Sequence, residues 1–275
     1  MFRLLQFYTL HFPFPKRGLK YYRRWLKWWG LADHSFLKKF KAGFQMELGM
    51  KEHQQQQLLW YGDYDPAVTQ TLLAQLSPGA VFLDIGANLG YYSLVAASAA
   101  QNIQVLAMEP SALLFAKLQR QLSLNPQYAV RTFRLAAGNA NEEKTLYGSS
   151  EENQGMSSLR PPENYSGESE IVSVVRIDDW SPVQALDRLD LVKIDTEGNE
   201  IAVIKGMVDT IKKWRPRLLV EVNPQTLSLF GHQPGELIQL LQNLDYVLYT
   251  TGKVPQPISA EPDWQTTPDI LCIPR

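Results

Sequence analysis

The chain has 275 residues, is 45% hydrophobic and 11% aromatic, and carries 27 Lys/Arg against 28 Asp/Glu. That suits one large α/β domain, or one domain with an appendage. No stretch approaches the roughly 20 apolar residues of a membrane-spanning helix. The apolar opening MFRLLQFYTLHFPFP is short and no small-residue cleavage site follows it, so it does not read as a signal peptide. The lone Cys272 excludes an intrachain disulfide and the four histidines are scattered, which argues against a Cys/His metal cluster. A cytoplasmic location is expected, peripheral to a membrane if the basic N-terminal segment described next binds one.

Residues 1–42 hold ten Lys/Arg and one acid, a net of +9, and the remainder of the chain balances it at −10. In GLKYYRRWLKWWG, Tyr22, Trp25, Leu26 and Trp29 recur at helical spacing, and Lys20, Arg23, Arg24 and Lys27 repeat that spacing on the opposite face. Gly30 suits the C-cap of this basic amphipathic helix. A second helix is expected over 35–44, and Gln54–Gln57 reads as a polar joint or helix surface. Residues 1–60 therefore form an expected basic helical N-terminal appendage. Its aromatic stripe fits packing on the body or a homo-oligomer contact; its basic face fits a membrane surface or another anionic partner. No nucleic-acid module accompanies it, and nucleic acid is not expected as a partner.

From residue 61 to 275 the pattern is regular. Asp65 before Pro66 reads as an N-cap with proline at the first helical position; that helix runs to about Gln75. Strands are expected over 80–84, 103–108, 130–136, 189–194 and 218–222, with helices over 90–99, 111–124 and 200–207 between them. A helix over 235–243 and strands over 246–249 and 270–273 follow. Near-continuous apolar strands between helices predict an α/β, doubly wound, Rossmann-like and mostly parallel sheet, with an antiparallel edge at the end of the chain. Residues 139–188 break the alternation. They are rich in Gly, Ser, Glu, Asn and Pro, with strand-like runs at 144–147 and 171–175, and predict a hairpin-like excursion over the site edge of the sheet.

Ligands of such sheets bind beyond the carboxyl ends of the strands. In VFLDIGANLGYYSLVAA (Val81 to Ala97), Asp84 ends the first strand. Gly86 lets the backbone turn tightly and approach a ligand, and Gly90 allows a second close approach at the helix start. Glu109 ends the next strand, where an acid suits a bidentate hydrogen bond to ribose hydroxyls. Dinucleotide folds use G-x-G-x-x-G to bring pyrophosphate onto a helix N-terminus. Here an acid precedes Gly86-Ala87-Asn88-Leu89-Gly90 and the third glycine is missing. S-adenosylmethionine, cationic and free of phosphate, fits such a turn better than NAD. A nicotinamide-dependent oxidoreductase is the competing enzyme class.

The motifs FLDIGANLGYYSL, AMEPS, GMSSL, VVRIDDW and LVKIDTEGNEIAVIKGM occur in the order found in the FkbM-type family of S-adenosylmethionine-dependent methyltransferases, which this chain resembles over about residues 61–223. The resemblance implies a class I methyltransferase fold and methyl transfer, usually to oxygen, on small-molecule or glycan acceptors such as sugars and secondary metabolites. It places Asp84, Gly86 and Asn88 around the methionine end of the cofactor, Glu109 on its ribose, and Ala136 and Ala137 beside the adenine. A non-catalytic cofactor-fold scaffold, binding a partner or membrane through its N-terminal helix, is the remaining alternative.

On the acceptor side, KIDTEGNE (residues 193–200) follows the fourth strand. Strand alternation puts Lys193 and Asp195 on one face. Asp195, Glu197 and Lys193 are the candidate bases, with a carboxylate preferred because a Lys193–Asp195 pair opposes loss of the lysine proton. Asn199 reads as a helix cap and Glu200 as a first-turn acid. Asp195, Glu221 and Asn223 form a less favoured alternative, oxygen ligands for a divalent metal such as Mg²⁺. Ser157 and Ser158 lie in the excursion, close enough in pattern to touch cofactor or acceptor.

Overall fold

A computed structural model describes residues 34–148, 157–161, 165, 167–258 and 269–275. The basic helix expected over 20–29 lies outside the described residues. The first described elements form a hairpin, β1 (Phe36–Lys39) pairing antiparallel with β2 (Gln45–Leu48). This corrects the helix expected over 35–44. The segment is too short for its apolar period to decide, and burial decides it: Met46 and Leu48 are fully buried, Gly43 takes the turn at φ +98°, and the buried Lys38 Nζ donates to the Leu59 carbonyl.

Helix α1 (His53–Tyr61) draws half of the glutamine run inside. Gln56 Nε2 donates to the Met50 carbonyl and Gln55 Oε1 accepts from Gly49 N, so these residues tie the helix to the preceding loop. Leu58, Leu59 and Trp60 share a buried cluster with Phe82, Leu94 and Val105. Residue 60 therefore does not divide two cores. Helix α2 (Pro66–Gln75) begins as expected, with Asp65 Oδ1 accepting from Ala67 N and Val68 N.

One half of the main sheet comes from β3 (Val81–Ile85), α3 (Tyr91–Ala99), β4 (Gln104–Met108), α4 (Ala112–Ser123) and β5 (Val130–Phe133). The strand predicted over 130–136 ends at Phe133. Ala136 begins β6 (Ala136–Gly138), which joins β7 (Glu142–Tyr147) and β8 (Ser169–Arg176) in a second sheet of order β6-β8-β7. The antiparallel β7–β8 pair is the expected excursion.

After α5 (Ser181–Gln184) the chain returns through β9 (Leu191–Ile194), α6 (Glu200–Lys205), α7 (Val208–Trp214) and β10 (Arg217–Glu221). It closes with α8 (Pro224–Leu229), α9 (Pro234–Asn243), β11 (Tyr246–Thr250) and β12 (Asp269–Pro274). The seven strands run β11-β12-β10-β9-β3-β4-β5. All neighbours from β10 to β5 are parallel, and β12 is antiparallel to both β10 and β11. This is a class I methyltransferase arrangement. Strand order reverses between β3 and β9, where a crevice opens beyond the strand ends. No described helix is long and apolar enough to cross a membrane.

Candidate active site

A cavity of about 500 Å³ lies over that reversal. Gly86, Ala87 and Asn88 line it from the turn after β3, Glu109 from the end of β4, and Ala136 and Ala137 from β6. Lys193, Asp195 and Glu197 line the other side, with Glu221, Asp269, Tyr64 and Tyr92. Asp84, Gly90 and Asn223 do not reach it.

On the β3–β5 side, Glu109 is only 4% exposed. Its Oε2 accepts from Asn88 N and its Oε1 from Ser111 N, both at 2.9 Å. Burial pushes its carboxyl up to about 7, with those two backbone donors opposing. The turn itself is clamped, because Gly86 N and Ala87 N both donate to the Met108 carbonyl. Gly86 sits at φ +83°, and a Cβ there would overlap the Asp195 carbonyl oxygen. The missing side chain lets two backbone segments cross here, while Gly86 also lines the cavity. Gly90 is likewise left-handed and packs against Leu118 of α4, away from the cavity.

Asp84 lies beneath the cavity floor, fully buried. Ser93 Oγ donates to its Oδ2 at 2.5 Å, and its Oδ1 has no partner among the described residues. Burial raises its pKa, and Lys193, level with it across the β3–β9 pair, opposes that rise. Asp84 thus faces Lys193, and the direct cofactor contact expected of it is not what the geometry provides. Ala136 and Ala137 are buried and small, and Asn199 Nδ2 donates to the Ala137 carbonyl. Asn199 makes no cap bond of its own; it ties the second sheet to the turn after β9.

On the β9 side, Lys193 Nζ is 2.6 Å from Asp195 Oδ2 and 4.8 Å from the centre of the Tyr92 ring. Burial pushes the ammonium pKa down, but Asp195, Asp84 and Asp269 together outweigh it and hold Lys193 above the ordinary lysine range. The ammonium is paired with Asp195 and resists losing its proton, which favours a carboxylate over Lys193 as the base. Glu197 follows in a left-handed conformation, φ +54°. Glu200 stitches this turn: its Oε1 accepts from Thr196 N, Thr196 Oγ1 and Gly198 N. It is fully buried and organises the loop, a larger part than that of a first-turn acid. Ser158 Oγ donates to the Glu197 carbonyl, so the β7–β8 excursion is fastened to this turn, and Ser157 lines the cavity.

Burial, reinforced by Asp195 and Glu200, pushes the Glu197 carboxyl up to about 8. Burial also raises Asp269 to about 7, with Lys193 opposing, and lifts Glu221 well above the carboxylate range with help from Asp195. Asn223 Oδ1 accepts from Gln225 N and Thr226 N and caps α8. That use corrects its candidacy as a metal ligand. Among the described residues no three acids, histidines or cysteines are arranged to hold a metal ion.

Residues 84–248 match the family described as the methyltransferase FkbM domain. The chain belongs to that family. Methyltransferase sdnD of Sordaria araneosa is 27% identical over 165 residues, covering 49% of this chain and 63% of its own. The 2-O-methyltransferase NoeI of Sinorhizobium fredii is 27% identical over 151 residues, covering 50% of this chain and 61% of its own. This chain thus spans less than two thirds of the length of either relative. A crystal structure of methyltransferase FkbM from Methylobacillus flagellatus is 15% identical, with a TM-score of 0.46, over 80% of this chain and 65% of that one.

Tyr64, Tyr92 and Asp269 belong to the cavity but escape the strand-end rule that points to the other acids. Tyr64 and Asp269 lie outside the segment matched to the FkbM domain. Asp269 begins a strand. Because β12 runs antiparallel, its first residue, and not its last, reaches the site edge. The visible signal is an acid directly before the apolar run ILCI.

Proposed function

We propose that this chain is an S-adenosylmethionine-dependent O-methyltransferase acting on a hydroxyl of a sugar or other small secondary metabolite. The reading rests on Glu109, a buried carboxylate fixed by two backbone donors and facing the same cavity as the Lys193-to-Glu197 turn. Its remaining lone pairs suit a pair of ribose hydroxyls. Gly86 to Asn88 would hold the methionine end, and Ala136 and Ala137 leave room for a flat base. A lining of carboxylates with one ammonium suits a cationic cofactor and is a poor surface for pyrophosphate, which argues against NAD.

When bound, the cofactor supplies a methyl group activated by a positively charged sulfur. The protein's part is alignment and proton removal. The Lys193–Asp195 pair orients the acceptor hydroxyl at the end of β9. Glu197, whose carboxyl burial raises to about 8, accepts the hydroxyl proton in its ionised form, so methyl transfer should quicken as pH rises toward about 8. The Sinorhizobium relative is a 2-O-methyltransferase, which supports oxygen as the receiving atom.

Calorimetry with S-adenosylhomocysteine tests the reading. The wild type should bind it, and Glu109→Ala should lose tenfold or more, about 1.4 kcal/mol. Labelled S-adenosylmethionine should then pass its methyl group to a small molecule of the host extract, with and without EDTA. Binding of NAD(H) in preference to S-adenosylhomocysteine would overturn the reading.

A further inference from the structure

Asp195, Glu221 and Asp269 stand in a row across three adjacent strands. Val220 pairs with Ile194 and Glu221 pairs with Asp269, so Asp195, one residue past Ile194, lies beside Glu221. Strands run about 4.8 Å apart, which gathers the three carboxylates within about 10 Å on one wall of the cavity. Like charges set directly opposite one another destabilise a sheet. Asp195 is answered by Lys193 at 2.6 Å. Glu221 is not: its Oε2 is sealed from solvent and has no hydrogen-bond partner among the described residues. The rings of Tyr64 and Tyr92 border the same wall. Asp195, Glu221 and Tyr92 of this wall lie within the segment matched to the FkbM domain, and Asp269 and Tyr64 lie outside it.

We propose that Glu221 and Asp269 bind a protonated amine carried by the methyl acceptor, which makes the acceptor an amino alcohol or amino sugar. This rests on the methyltransferase reading above and deepens it. An ammonium brings three N–H donors, enough for the lone Glu221 oxygen and for Asp269, and its charge relieves the crowding of the row. The Tyr64 ring offers a face that attracts a cation, as the Tyr92 ring already does for Lys193. Strand order puts the row on the β9–β12 side of the reversal and Glu109 on the β4 side. The same chemistry exists in the α-ammonium of the cofactor, so the test must separate the two sources.

The full chain and its Glu221→Gln/Asp269→Asn variant are titrated with S-adenosylhomocysteine by calorimetry. Each is then saturated with it and melted in 2-aminoethanol, N-acetyl-2-aminoethanol or ethylene glycol. The variant should keep its affinity for S-adenosylhomocysteine within about threefold. Only 2-aminoethanol should raise the melting temperature of the wild type, and the shift should vanish in the variant. Glu221→Gln alone provides the same comparison if the double variant does not fold. Equal shifts from all three compounds, or none from 2-aminoethanol, overturn the proposal. A loss of about tenfold or more in S-adenosylhomocysteine affinity assigns the row to the cofactor's ammonium and overturns it as well. A wild type that does not bind S-adenosylhomocysteine at all defeats the methyltransferase reading instead.

Discussion

On the β3–β5 side of the crevice, Glu109 is buried with each oxygen held by a backbone N–H. On the β9–β12 side, Glu197, Glu221 and Asp269 crowd together with one buried ammonium, Lys193, among them. Backbone donors hold a carboxylate in place before any ligand arrives, which suits a ligand that never changes. Carboxylates left short of partners are less stable alone and gain most when a ligand supplies the missing donors or charge.

The joint between the halves should be the most fragile place. Gly86→Ala drives a Cβ into the Asp195 carbonyl at a left-handed position. It should cost about 3 kcal/mol or more in urea unfolding. Full stability would show that the two segments can part, and the crossing would lose its structural meaning.

Glu197→Gln sharpens the acceptor side. It should slow methyl transfer by about 100-fold or more while leaving S-adenosylhomocysteine affinity within about threefold. A parallel fall in both would move Glu197 to the cofactor side.

Acidity separates the halves less sharply. Burial lifts Glu109, Asp269 and Glu197 to about 7, 7 and 8 in the folded protein. Raised folded values mean that the stability these groups contribute is complete below the unfolded carboxylate range, near pH 4, and is lost as pH rises through about 7 to 8. The melting temperature of the ligand-free protein should therefore fall between about pH 5 and about pH 8, and fall less in Glu197→Gln. Each kcal/mol lost corresponds to about 2–4 °C. A melting temperature that rises over that window would break the picture of acids raised by burial.

The smallest effect is expected at Asn223. Asn223→Ala removes the cap of α8 and should cost about 1 kcal/mol in urea unfolding. Cofactor affinity should be unchanged. A loss of EDTA-sensitive activity on this substitution would restore Asn223 as a metal ligand.

Much of the fold was legible because it is written in local patterns. Apolar strands alternate with helices, and Asp65-Pro66 is a cap whose partners lie within three residues. The misread parts are those whose meaning depends on distant chain. Residues 35–44 suit either a strand or a helix until Lys38 finds the Leu59 carbonyl. Asn199 looks like a cap until β6 brings the Ala137 carbonyl within reach. The candidate site divides the same way. Glu109, Asp195 and Glu197 follow from the rule that acids at strand ends face the crevice, whereas Asp269 breaks it because its strand runs backwards.

By itself, then, the sequence determined the alternation of strands and helices, the acids at the parallel strand ends and the need for glycine at 86 and 90. These rest on periodicity and backbone sterics, which act within a few residues. Only the tertiary structure decided why those glycines are required, which lysine is held charged, and that Glu221 stands opposite Asp269, 48 positions later in the chain. Register and burial set those relations, and both are properties of segments brought together by folding.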